Sequence, residues 1–575
     1  MRNFDSILNS FKKVAKKAAK VSKKPVSEIA PTDFFAVAGK DITEWEIRKN
    51  GGFQKFLELA AVREEPHPLV DFTKEAIGSI IKKNDYKDGT FFITAVAPTS
   101  YVDWSEDEIK QASQGKDVVG SNLHEEAFAA VKNFLKREKA ELVLLPMPAH
   151  VKALHSQPKH YDPKLKPYLK NFATEYTFNN HLKAIEAYIN PQQINPLTGL
   201  KRLRIHKYGE NSKPGEEMKR FKTSIIVAHS KQMMEAIPTG NSTHPRIIHS
   251  TGAITKPAYL RNRIGMIANE DHKLGGLIIQ IEGDIFHIRQ VQFDEKDGSF
   301  VDLATRYHAD GSVEYERAEA FKMGDIHPGF HDQKLLDAMY DLWGVIRPKK
   351  IFYEDAFDGL SISHHLVTKN ITRSQRPEYF SSLEKEIEMA RGVLKETFEN
   401  APKDAIKYMT AANHPDHVMR YLNEGRYIKD DVNFAIGHRM VVMTLDGKNP
   451  LKEYLDPENN MVWTDENDDI FVEGVQMNSH GHLGVNGSRS GKAGQELAFG
   501  SAMVAHSHTP GIYHDLFTVG HMTVPRHGYN NGPGTWIPAC GAVYKRGQKQ
   551  LYIFMQNKFE SEKNSKMRKQ KRKKK

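Results

Sequence analysis

The chain has 575 residues, 39% of them hydrophobic and 27% charged, which excludes a disordered or collagen-like protein and calls for more than one hydrophobic core. One cysteine, Cys540, excludes an internal disulfide and a CxxC zinc site, and no run of about 18 apolar residues is available to span a membrane, so a reducing, cytoplasmic setting is expected. The net charge of +10 is carried by the ends: residues 1–24 hold +7 and residues 563–575 hold +9, leaving 25–562 at −6, so attraction to phosphates must be tail-borne or local.

In residues 1–24, Phe4, Leu8, Phe11, Ala15 and Ala18 fall at helical spacing among lysines, predicting a basic amphipathic helix for a membrane surface, nucleic acid or the groove of a partner. Pro25 ends it, and 25–87 reads as a small helical segment. From 88 to 317 strand and helix patterns alternate, predicting a separate α/β domain. Thr90–Val96, His124–Ala140 and Glu141–Met147 form a βαβ unit there, and Ser224–Ala228 is a further strand. Leu277–Phe293 reads as a hairpin, which makes Gly283-Asp284-Ile285-Phe286-His287 a turn and strand rather than a metal-binding run.

Residues 318–545 concentrate the chemistry. Ala318–Lys322 leads into Gly324-Asp325-Ile326-His327. The helix Gln333–Ile346 and the strand Lys350–Tyr353 follow, so Asp325 and Asp355 stand at equivalent ends of two parallel strands, where open α/β sheets place their sites. A helix over 379–399 precedes Ile406–Thr410 and Asn413-His414. A strand Ile470–Met477 brings in His480, and Ala502–Ala505 brings in His506 and His508. Residues 546–575 read as a last strand and a basic tail. Carboxylate, imidazole and amide-oxygen ligands in this mixture suit divalent metals. Alternate residues of a strand share a face, so Asp325 with His327, and His506 with His508, are expected to point together.

The succession Gly324-Asp325-x-His327, Glu354-Asp355-x-x-Asp358-Gly359, Asn413-His414, His480-Gly481 and Ala505-His506-x-His508 resembles the motifs of the calcineurin-like metallophosphoesterases, which include the SbcD-type nucleases. The likeness implies a β-sandwich flanked by helices over 318–545. It implies that Asp325, His327 and His508 hold one cation, that Asn413, His480 and His506 hold a second, and that Asp355 bridges them. His414 would meet the substrate phosphate. This chain differs from the family in having Glu354 and Ala505 where glycine is usual. His480 is preferred to His482 because the fourth motif is a histidine followed by glycine. His364, His365 and Arg489 are candidate substrate contacts. Two divalent ions are implied, manganese first, with magnesium, iron or zinc as alternatives.

Over 476–536, including Gly484-Val485-Asn486-Gly487-Ser488-Arg489, the chain also looks like the pre-early proteins with which large coliphages that inject DNA in two steps degrade host DNA and transfer their own. The expected function is therefore a phage deoxyribonuclease in the host bacterial cytoplasm, peripheral to the inner membrane through its first helix, with DNA, a second phage protein or a second copy as partners. The competing readings are a phosphatase or cyclic phosphodiesterase on small substrates, and a non-catalytic DNA-transfer protein with a structural metal site.

Overall fold

The computed structural model describes residues 4–22, 29–38, 42–43, 47, 53–54, 56, 89–97, 122–146, 164–165, 168, 176–177, 204–207, 224–238, 246–257, 269–282, 285–363, 376–489, 491–527, 530 and 532–573. They fall into two compact units, Met1–Tyr86 and Lys87–Lys575. Among the described residues no helix is long and apolar enough to cross a membrane.

In the first unit the basic helix forms as its spacing predicts, over Phe4–Ser22. Its apolar stripe is already covered. Phe11, Val14, Ala15 and Ala18 are buried with Phe34, Ala38, Ile42, Ile47 and Phe56, and Phe11 stacks on Phe34 at a ring separation of 4.3 Å. Those four residues therefore belong to a small core and not to a membrane-facing surface.

The second unit is mixed α/β. The expected βαβ unit is present: Gly89–Val96 pairs in parallel with Glu141–Pro146, Phe91 opposite Glu141, across the helix Glu125–Glu138. His124 caps that helix by accepting the Ala127 N–H. The hairpin is present too, Gly275–Glu282 against Ile285–Gln292, and completes a four-stranded sheet.

A six-stranded sheet is built, in spatial order, from Val462–Trp463, Ile406–Met409, Lys350–Tyr353, Ala320–Lys322, Ala539–Val543 and Lys549–Ile553. One face packs on a helical layer that includes Gln333–Ile346 and Leu383–Asn400, burying Phe321, Ile351, Tyr353, Leu336, Trp343 and Leu394 in one cluster. The other face carries Ala320, Phe352, Val543 and Ile553 into a second cluster with Val475, Met503, Ile512 and Phe517 of a ten-stranded sheet.

That ten-stranded sheet joins regions expected to be separate domains. Ile512 pairs with Met234, so Gly511–Tyr513 continues into the strands Met233–Ile237, Arg246–Ser250 and Ile225–Ala228. The segments 88–317 and 318–545 thus share a sheet and a core, and the two compact units meet after Tyr86, beside the boundary expected between 25–87 and 88–317. Two further details differ from expectation. The strand expected over 470–477 is a tight hairpin, Phe471–Val472 against Val475–Gln476, turned by Glu473 and Gly474 at positive φ. The basic tail is helical over Glu562–Lys573, and Arg568 pairs with Glu560 at 3.2 Å.

Candidate metal centre

Three neighbouring parallel strands, with Phe321 beside Ile351 and Ile351 beside Lys407, end on the same edge of the six-stranded sheet. The loops that follow carry Asp325 and His327, then Asp355, then Asn413 and His414. From the facing sheet, Val475–Gln476 and Ala502–Val504 run in parallel and lead to His480 and to His506 and His508. Backbone bonds lock these loops together: Ile326 N–H to Glu354 O at 3.1 Å, His327 N–H to Asp355 O at 2.9 Å, Asp325 N–H to Gly520 O at 3.2 Å and Ala505 N–H to His480 O at 2.7 Å.

Strand alternation does not bring the ligands together, contrary to expectation. The strand before Asp325 ends at Lys322, and that before His506 ends at Val504. His327, Asp355, His506 and His508 all adopt positive φ, at 41°, 40°, 68° and 54°. Each such conformation costs a non-glycine residue about 1–3 kcal/mol, and clustering of that strain is characteristic of functional sites.

Four ligand atoms converge in the first part of the site. His508 Nε2 lies 2.9 Å from Asp325 Oδ2 and 2.9 Å from His327 Nε2, and Asp355 Oδ2 is 3.6 Å from that same His327 nitrogen. The protons available do not satisfy them. Asp358 accepts from His327 Nδ1 at 2.8 Å, and despite burial its bonds to His327 and His414 hold it below the usual carboxylate range. The His327 proton is therefore spent on Asp358. Burial lowers the His508 pKa well below its ordinary value, so His508 brings one proton at most. A group rich in buried lone pairs and poor in protons fits a divalent cation.

The second part forms around His480. Its Nδ1 is 2.8 Å from Glu354 Oε2, and its Nε2 is 3.2 Å from Asn413 Oδ1 and 3.3 Å from Asp355 Oδ2. Burial disfavours a second proton on this ring, but Asp355, Glu354 and Asp325 outweigh it and raise the pKa well above the ordinary value. A proton or a cation can satisfy Nε2, and the two compete for one lone pair. Asp355 Oδ2 serves both halves, and Asp355 Oδ1 is buried with no hydrogen-bond partner among the described residues.

The remaining candidates separate. His506 is exposed at the rim, with its ring 5.2 Å from that of His480 and its N–H 3.4 Å from Asp325 Oδ1. His414 turns Nδ1 to the Asp358 carbonyl at 2.8 Å. Burial pulls its pKa down, but the Asp355 charge and the Asp358 bonds prevail and raise it to about 10. A cation on Asp355 would oppose that rise. His482 has its ring 5.3 Å from that of His480 and turns Nε2 to Glu466 at 3.2 Å. Arg489 is exposed and pairs its backbone with Leu483. His364 and His365 lie outside the described residues.

Three further residues complete the site: Asp358, Glu354 and Lys322. Asp358 stands in the second motif, three residues after Asp355. Glu354 shows in the sequence only as a departure from the family's glycine. Lys322 gives no sequence signal, because a lysine at a strand end reads as a surface residue.

The chain is 26% identical to Protein A1 of Escherichia phage T5 in an alignment of 358 residues that covers 58% of this chain and 64% of that protein. The matched stretch thus spans less than two thirds of the relative. No family model matches the chain. No solved structure matches it either. The similarity supports a phage-related function.

Proposed function

We propose that this chain is a two-metal-dependent phosphodiesterase that hydrolyses DNA in the infected host cell, with the calcineurin-like arrangement of a β-sandwich flanked by helices. The observation that carries the reading is the position of Asp355 Oδ2, within 3.6 Å of His327 Nε2 and 3.3 Å of His480 Nε2, where one carboxylate can serve two cations. Two sheets packed through one apolar core, with helices on the outer face of the six-stranded sheet, support the fold assignment. The phage relative and the basic tails support DNA as substrate.

Asp325, His327, His508 and Asp355 would hold one ion, and Asn413, His480 and Asp355 the other, with His506 at the rim of the second. Bound there, two cations would supply a water activated at neutral pH and positive charge to hold the phosphate for in-line attack. The chain's own residues set the geometry. The loops that bear the ligands are tied to one another by backbone bonds and are not free to drift. His414, with Nδ1 committed to Asp358, keeps Nε2 for the scissile phosphate and can carry a proton to the leaving oxygen.

The test is hydrolysis by purified protein with manganese, offered linear duplex, closed circular duplex, single-stranded DNA and a small phosphodiester. Cleavage of DNA supports the reading. Turnover of the small ester alone moves the chain to the small-substrate phosphoesterases. Tight metal binding without turnover of any substrate leaves a structural site in a DNA-transfer protein.

A further inference from the structure

Among the described residues, the most deeply buried charge arrangement at the site is one that the metal-binding reading does not need. Lys322, Glu354 and the ring of His480 are fully buried, side chains included. The Lys322 ammonium is 2.6 Å from Glu354 Oε1 and donates to the Met477 carbonyl at 2.7 Å. Glu354 Oε2 is 2.8 Å from His480 Nδ1. Burying such a pair strips both ions of water before any attraction is counted, so this arrangement is a poor device for stability alone. Glu354 is also adjacent in sequence to Asp355.

We propose that Glu354, clamped by Lys322, is a positioning residue that fixes the tautomer and orientation of His480 and thereby sets occupancy of one of the two cation positions. This rests on the two-metal reading above. The clamp works by donor counting. An ionised carboxylate only accepts, and its two oxygens here face two donors, the ammonium and the imidazole N–H. With the His480 proton held on Nδ1, the Nε2 lone pair is directed at Asn413 Oδ1 and Asp355 Oδ2, where a cation would sit. Partners of this kind behind a ligating histidine typically contribute 10- to 100-fold to metal affinity.

The same counting predicts what a nearly isosteric change does. In Glu354→Gln one oxygen becomes an amide NH2. Turned toward Lys322, that group meets a charged donor, so it turns toward His480. Nδ1 must then accept, the proton moves to Nε2, and the lone pair meant for the cation is lost. Removing the lysine reverses the choice: in Glu354→Gln with Lys322→Met, the amide oxygen is free to accept from His480 again.

Manganese per full-length chain, its binding isotherm and its electron paramagnetic resonance spectrum test this on folded proteins. The wild type should bind two ions with a spin-coupled spectrum. Glu354→Gln should keep one ion and bind the second 10- to 100-fold more weakly, giving the spectrum of an isolated ion. The double variant should regain the second ion to within a few-fold of wild type. Glu354→Ala in the same Lys322→Met background, which offers no acceptor, should not regain it, and this pair of double variants decides the matter if Glu354→Gln folds poorly. Two tight ions in Glu354→Gln, or equal affinities in the two double variants, would overturn the proposal while leaving the two-metal reading intact. A wild type that binds no manganese would instead sink that reading.

Discussion

Ile285-Phe286-His287 and Ile326-His327 follow a glycine and an aspartate in both places, and the two histidines have opposite fates. His287 lies within the strand Ile285–Gln292, opposite Gln280, and among the described residues no group of metal-ligating side chains includes it. Gly283 and Asp284 lie outside the described residues. His327 follows a strand by five residues, sits at positive φ, and has Asp325, Asp355, Asp358 and His508 around it. A strand sends neighbouring side chains to opposite faces, whereas a strained loop at the edge of a sheet can turn several toward one point. Local residue order was therefore a poor guide, and position relative to the ends of parallel strands a good one.

The comparison can be broken most sharply at Asp355. Asp355→Ala removes a ligand from both cation positions, so metal content should fall at both and DNA hydrolysis should be lost more completely than with any other single ligand change. His287→Ala should leave metal content at the wild-type level. Metal analysis and a nuclease assay on both variants check this, and wild-type turnover by Asp355→Ala would dismantle the site.

The next largest effect separates ligand from catalyst. His414 is held by Asp358 and lies at no cation position in the proposed arrangement, so His414→Ala should retain both metals and lose about 10²–10⁴-fold in rate. Asn413→Ala should lose one metal as well. Loss of metal by His414→Ala would make that histidine a ligand, and full rate would make it structural.

Much of the C-terminal framework was legible because its signals are local. The helix Gln333–Ile346 and the strand Lys350–Tyr353 have the bounds that apolar periodicity and strand composition predict. What was not legible is set by distant partners. Nothing near Met234 announces that Ile512 will pair with it, because a buried strand shows only that both faces are covered. The amphipathic first helix likewise shows that one face needs a cover, not that Phe34 and Phe56 supply it. The burial of Lys322 and Glu354 has no local signal, because charged residues are surface residues by default and it takes their mutual pairing to bring them inside. The turn that divides 471–476 has a local signal in Glu473-Gly474, while the apolar residues on either side read together as one strand.

A smaller effect concerns the C-terminal helix, where the structure sharpens the design of a truncation. Arg568 pairs with Glu560, and Asn564 reaches Thr90 at 3.4 Å, so these residues serve the fold. Removing 569–575 takes six positive charges and leaves those contacts in place. If the tail binds phosphates, the truncated chain should bind DNA more weakly with a flatter dependence on salt, each lost phosphate contact reducing the slope by about 0.9 on duplex DNA. Turnover of a small phosphodiester should be unchanged. Equal salt slopes would assign the tail to solubility.

The smallest effect returns to His287 and reads out its solitude. Burial, with the charges of Arg289 and Lys558 adding to it, lowers its pKa to about 3 from an ordinary 6.5. The unfolded chain therefore binds a proton at this residue more readily than the folded chain does, and the resulting stability is complete above pH 6.5 and is lost progressively as pH falls toward 3. Lowering pH from 7.5 to 5 should cost about 2 kcal/mol through this group alone, by the linkage between proton uptake and unfolding. His287→Leu removes the titration. Its packing cost is common to both pH values, so the informative quantity is the change in urea midpoint between them. That change should be smaller in the variant than in the wild type. Identical changes in the two proteins would mean that His287 is hydrated or paired in solution, and the contrast between a lone buried histidine and a ligating one would fail at its simpler end.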